Sequence, residues 1–188
     1  EVVVEVYSEG ASASITKSFS ELGIALLLAI ILTYLVLVVF FNSFLQPIVI
    51  LFAIPLTFIG IFPALSAFAG GQLGFLEIIG VIILVGIVEN VAIFLIDAAN
   101  QKVREGWNDR DAIAHAAGVR FRPIILTKVT TLVSTLPLAI LSDFYRSLSV
   151  VIIFGLLTSG IVSLFTSPIL YIAFRRVSEV LRKIVKGN

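Results

Sequence analysis

Glu89, Asn90 and Asp97 stand within GIVENVAIFLID (residues 86–97), which places a carboxylate, an amide and a second carboxylate inside an otherwise apolar run. An ionisable group in the middle of a membrane helix costs about 2.5–3.5 kcal/mol on insertion scales, so such groups face a partner or a water-filled path. The chemistry Glu89 offers is therefore proton transfer or ion pairing. Lys128, in RFRPIILTKVTTLVSTLPLAI, is the matching cation. On ideal helices Glu89 lies about 16 Å deeper than Asn100, and Lys128 about 12 Å beyond Arg120, so the two charges reach similar depth on neighbouring helices. Pairing would keep both charged where either alone would tend to neutralise. Thr127, Thr130 and Thr131 add hydroxyls beside Lys128. Residues seven apart on a helix nearly eclipse and residues four apart lie close, so Gly86, Asn90 and Asp97 share a face, with Glu89 one step round. Such a cluster suits a proton relay, and equally a static polar clamp. Asp97, near a helix end that water reaches, reads as a solvated carboxylate or as a relay member.

The elements that position these groups follow from composition. The chain has 188 residues, 59% hydrophobic and 13% charged, with a mean hydropathy of +1.13. Apolar runs at about 22–41, 47–69, 74–98, 123–142 and 148–174 each match the hydrocarbon thickness of a bilayer when helical. They are apolar on all faces rather than alternating, which excludes a β-barrel. The expected fold class is an all-α membrane protein, a bundle of five transmembrane helices. With Cys 0, disulfides and thiolate metal sites are excluded. His115 has no second His nearby and reads as a surface residue rather than a metal ligand.

Ten of the thirteen Lys and Arg fall in two places. Lys102, Arg104, Arg110, Arg120 and Arg122 lie between spans three and four, and Arg175, Arg176, Arg182, Lys183 and Lys186 lie in the tail. Both groups share one side if spans four and five form a hairpin, and the positive-inside rule makes that side cytoplasmic. The acidic start (Glu1, Glu5, Glu9) is then extracytoplasmic. Residues 1–8, EVVVEVYS, read as a short strand. The chain opens on Glu1 with no signal peptide before the first span, so the simplest expectation is a cut piece: the last strand of an extracytoplasmic domain, then a membrane half. Expected domains are 1–20, the remnant of an extracytoplasmic segment and a linker with Ser18 or Ser20 capping the first helix; 21–177, the bundle; and 178–188, a basic tail suited to lie on anionic lipid.

Pro47, Pro55 and Pro63 recur in span two and predict a bent helix. Gly70-Gly71 predicts a break, and Glu77 beside it a solvated or interfacial carboxylate. Asn108 or Asp109 is placed to cap a short surface helix ending at Gly118, anchored by Trp107. Asp143 to Arg146 reads as a loop, and Ser159 and Ser163 give the small-xxx-small spacing that lets membrane helices pack closely.

Taken in order, GIVENVAIFLIDAANQKVREG, AIAHAAGVRFRPIILTKVTTLVSTLPLAI and SVVIIFGLLTSGIVSLFTSPILYIAFRR resemble the C-terminal membrane half of resistance–nodulation–division (RND) transporters of the acriflavine-resistance type, over residues 14–177. The resemblance implies the last five of twelve spans, in a bacterial inner-membrane pump driven by proton influx. Its partners would be the bilayer, an N-terminal membrane half, porter domains that choose the substrate, and further copies in a trimer. In the resembled family two aspartates of the N-terminal half join a lysine, a threonine and an arginine in a relay. Asn90 stands where many members carry the lysine, while Thr127 matches the threonine and Arg120 the arginine. Glu89 and Lys128 occupy positions usually neutral, which suggests that this pair replaces part of the relay. No cofactor is implied.

Two other readings stand beside this one: a non-transporting structural bundle, and a related protein- or lipid-export component. An enzyme is not indicated, because no nucleophile–His pair, phosphate loop or metal spacing is present. Nucleic acid is not indicated either, because topology already accounts for the basic loops.

Overall fold

Segments apolar on every side cannot leave backbone amides and carbonyls open in lipid, so each closes its own hydrogen bonds as a helix. The computed structural model describes residues 2–71 and 73–185, with side chains over 15–71 and 73–176. The elements are α1 (Val2–Phe41), α2 (Leu45–Leu51), α3 (Ala53–Phe68), α4 (Phe75–Val88), α5 (Asn90–Arg104), α6 (Asp109–Leu141) and α7 (Arg146–Val185). Five stretches are long and apolar enough to cross a membrane: Ile15–Phe41, Leu45–Phe68, Phe75–Arg104, Asp109–Leu141 and Arg146–Arg176. The molecule is thus an all-α membrane bundle, with every expected span in place and most of them longer than their apolar cores.

Two spans are interrupted. Span two breaks at Phe52, between α2 and α3, where Pro55 has no N–H to offer the carbonyl of Leu51. Span three breaks for one residue at Glu89, whose backbone stays in the right-handed helical region at φ −67°, ψ −21°. Gly70 and Gly71, at φ 75° and 77°, turn the chain between spans two and three.

α7 is the hub, packing against α3, α6, α4, α5 and α2, while α1 lies on α4 and α2. Spans three and five run parallel. A Cβ on Gly80 would touch Val151, one on Gly155 would run into Leu84, and Asn100 bonds Tyr171, all at one offset of 71 residues. The apolar core forms two clusters. One joins α3, α4 and α7 around Ile61, Leu84 and Leu156. The other joins α1, α2, α5, α6 and α7 around Ile50, Ile96 and Tyr171.

Several expectations need correction. Val2–Ser8 lie in α1 and form no strand, and residues 9–20 continue that helix instead of forming a linker capped at Ser18 or Ser20. A strand closes its hydrogen bonds only against a neighbour, and the described residues contain none, so the helix, which closes its own, takes over. The short surface helix after Asn108 does not stop at Gly118 but runs on as α6. A glycine inside a helix costs only about 1 kcal/mol relative to alanine, too little to end one unaided. Glu77 is buried, 8% exposed, with its carboxylate folded over Gly74 at the start of α4, where the helix N-terminus favours negative charge. The tail continues α7 to Val185, and residues 186–188 lie outside the described residues.

Candidate functional site

Pro123 and Thr127 show how α6 presents its polar groups. The Thr127 hydroxyl donates to the Pro123 carbonyl at 3.0 Å, and Thr130 and Thr131 donate likewise to Leu126 and Thr127. Each threonine spends its hydrogen one turn back on its own helix, a satisfied arrangement in lipid, and keeps an oxygen free to accept. Successive positions 120, 123, 124, 127, 128 and 131 then form one face of α6. This face looks across at positions 87, 90, 91 and 94 of span three, spaced i, i+3, i+4 and i+7. Between them, closed by Leu156 of α7, lies a cavity of about 250 Å³.

Four of the six residues singled out from sequence, Asn90, Arg120, Thr127 and Lys128, line this cavity together. Lys128 crosses toward α7, where its ammonium donates to the Ser159 hydroxyl at 3.0 Å. Its methylenes lie beside Gly160, reaching to 3.7 Å of where a Cβ would stand. Ser159 in turn donates to the Leu156 carbonyl at 3.0 Å. Arg120 and Lys128 put two cations on the cavity wall, and among the described residues no carboxylate lines it.

Glu89 and Asp97 stand elsewhere. The parallel register sets Glu89 level with Gly160 and hence with Lys128, so the expected common depth is present. The direction differs. Glu89 sits about 100° round the helix from Asn90, on the side of Val85, Ala92 and Ile96, which are buried in the core. It forms no ion pair with Lys128; the ion pairs among the described residues are Lys17–Glu21, Lys102–Glu105, Arg146–Asp143 and Arg175–Asp109. The Glu89 side chain is buried, and its Oε2 has no hydrogen-bond partner among the described residues. Asp97, half-buried near the basic end, accepts from Gln101 at 2.8 Å.

One polar cluster escaped the sequence reading. Gln46 and Asn100 exchange amide hydrogen bonds at 3.2 and 3.0 Å. The Tyr171 hydroxyl donates to Asn100 at 2.9 Å and accepts from Arg175 at 3.2 and 3.1 Å. Arg175 also approaches Asp109 at 3.5 Å. The network ties α2, α5, α6 and α7 together at the basic end. Its signal is present in the sequence: Ser159, Ser163, Ser167, Tyr171 and Arg175 recur every four residues on α7. The three serines are buried where α7 meets its neighbours, and for Ser159 and Ser163 this is what the small-residue spacing predicts.

Comparison with known proteins agrees with this architecture. The sequence pattern of the AcrB/AcrD/AcrF family matches residues 3–175. The chain is 38% identical over 173 residues to the swarming motility protein SwrC of Bacillus subtilis (strain 168), covering 89% of this chain and 16% of that protein. It is similar in structure to a heavy metal efflux pump seen in two crystal forms. The TM-scores are 0.73 and 0.68, at 28% identity, over 85% and 81% of this chain and 16% and 15% of the pump. The chain thus spans about one-sixth of these relatives. A pattern match over nearly the whole sequence, together with a bundle that superposes on an efflux pump, places this chain in the AcrB/AcrD/AcrF family of RND transporters.

Proposed function

We propose that this chain is the C-terminal membrane half of a proton-driven secondary transporter that exports small amphipathic compounds across a bacterial inner membrane. In this reading its contribution is energy coupling rather than substrate choice. The basic end faces the cytoplasm and the start of the first span faces outside, because positively charged loops are retained inside. Substrate recognition belongs to porter domains, and assembly follows the trimer that the family resemblance implies.

The observation that carries the reading is the cavity between α5, α6 and α7. It holds two cations and no carboxylate, a balance that is costly in a low-dielectric site until acids arrive. The N-terminal membrane half, with its pair of aspartates, supplies them. Protonating those acids removes the attraction that Lys128 and Arg120 exert across the cavity, and α6 is then free to shift against its neighbours. Asn90 cannot carry the cation expected at its position; Lys128 carries it from the adjoining helix instead. Glu89, level with Lys128 and without a partner of its own, is the second proton-carrying group.

The test uses the intact transporter reconstituted in liposomes with an imposed proton gradient. Lys128→Met is expected to lower proton-coupled transport about a hundred-fold or more, the loss typical when a proton-transfer group is removed. If Lys128→Met and Glu89→Gln both leave coupled transport intact, the reading is wrong.

A further inference from the structure

A second cavity, of about 260 Å³, lies at the basic end between the α1–α2 turn, α5 and the end of α7. It is built like the seat of an amphiphile. Asn42, Ser43, Gln46 and Arg175 line its polar part, and Val49 and Ile96 line its apolar part within the spans. The cavity therefore straddles the level where the hydrocarbon core gives way to headgroups.

The polar groups are donors with capacity to spare. Arg175 commits its Nε and one Nη2 hydrogen to Tyr171, with Asp109 near the Nε edge at 3.5 Å. A guanidinium has five N–H groups, so three remain. The Ser43 oxygen accepts from the amides of Leu45 and Gln46 at 3.4 and 3.5 Å, which leaves its own hydrogen unspent. Asn42 turns the chain at φ 48°, a left-handed conformation that Asn tolerates. Arg110 and Arg176 line a further cavity together with Asp109, a net positive lining.

We propose that this cavity binds the phosphate of an anionic phospholipid, with Arg175 as the cation, Asn42 and Ser43 as further donors, and the glycerol end of the lipid against Val49 and Ile96. Guanidinium groups pair with phosphate through parallel hydrogen bonds, and basic pockets between membrane helices on the cytoplasmic side recognise lipid headgroups. A free phosphate would use the same donors but leave the apolar floor uncovered. The choice of the inner leaflet rests on the orientation proposed above; the cavity itself does not.

The test is native mass spectrometry of the intact purified transporter, titrated separately with phosphatidylglycerol, phosphatidylcholine and inorganic phosphate. The readout is bound adducts, so it is independent of transport. Phosphatidylglycerol is expected to bind tightest. Ser43→Asp keeps an oxygen that can accept from the Leu45 and Gln46 amides but sets a negative charge at the mouth. This change and Arg175→Gln should each weaken phosphatidylglycerol about ten-fold or more, the effect of one lost charge-assisted contact, while Arg175→Lys should recover part of the loss. The proposal is overturned if phosphatidylcholine binds as well as phosphatidylglycerol, if inorganic phosphate competes for the site on equal terms with the lipid, or if Ser43→Asp leaves lipid binding unchanged. The Ser43 variant keeps the test decisive should Arg175→Gln prevent folding.

Discussion

A carboxylate buried without a partner answers differently to neutralisation than one held in an ion pair, and Glu89 makes the distinction measurable. Breaking a buried pair by removing one charge costs about 3–5 kcal/mol, because the other charge is stranded. Among the described residues Glu89 has no cation to strand, and its Oε2 has no hydrogen-bond partner. Glu89→Gln is therefore expected to leave the melting temperature of the purified protein unchanged or raised, whatever it does to transport. A fall matching several kcal/mol would reveal a partner that the present arrangement lacks. The depth of Glu89 and Lys128 was legible in the sequence, because rise per residue is fixed. Their failure to meet was not, because direction round the helix depends on which neighbours pack where. Asn90 and Glu89 are adjacent in sequence yet face the cavity and the core respectively.

At the level of elements, glycines mark where helices touch and where they do not. A Cβ on Gly60 of α3 would overlap the Thr158 side chain of α7 and press on the Phe154 carbonyl, while one on Gly118 of α6 would meet nothing within 4 Å. Gly60→Ala is expected to destabilise the bundle by about 1–3 kcal/mol through overpacking. Gly118→Ala should stabilise it by up to about 1 kcal/mol, the ordinary helix-propensity gain. Denaturation midpoints of the two variants check both signs, and a destabilising Gly118→Ala would mean that α6 needs a break there after all. The same contrast explains what the sequence left unread. The spans were evident from apolar length. The surface helix expected to end at Gly118 gave a glycine more stopping power than its small energetic cost allows. The strand expected at residues 1–8 relied on β-propensity in a segment with no neighbouring strand to pair with, and α1 took it up.

Across the whole molecule, the spans divide by what covers them. Spans two, three and five bury 44%, 50% and 44% of their most apolar window inside the bundle, whereas spans one and four bury 6% and 11%. Both uncovered spans expose apolar side chains, including Leu126, Val133, Ile140 and Leu141 of α6, and α6 adds a polar stripe. The outward face of α1 carries Leu32, Val36, Val39 and Phe40, all apolar and exposed, a surface that lipid satisfies. The outward face of α6 continues the cavity wall with Thr127 and Ser134, beside exposed Asn90 on α5. The Asn90 amide and the cations of the cavity are poorly matched to hydrocarbon. In the proposed reading the face of α5 and α6 is therefore the one that an N-terminal membrane half would cover, and the face of α1 is left to lipid. A bulky probe at each face separates the assignments. On that reading Ser134→Trp would wedge between the two halves. It should reduce coupled transport and the thermal stability of the intact transporter by overpacking, about 1–3 kcal/mol. Val39→Trp, at a position 83% exposed, should be accommodated by lipid and change neither. If the two variants behave alike, the polar face of α6 is not where the other half docks.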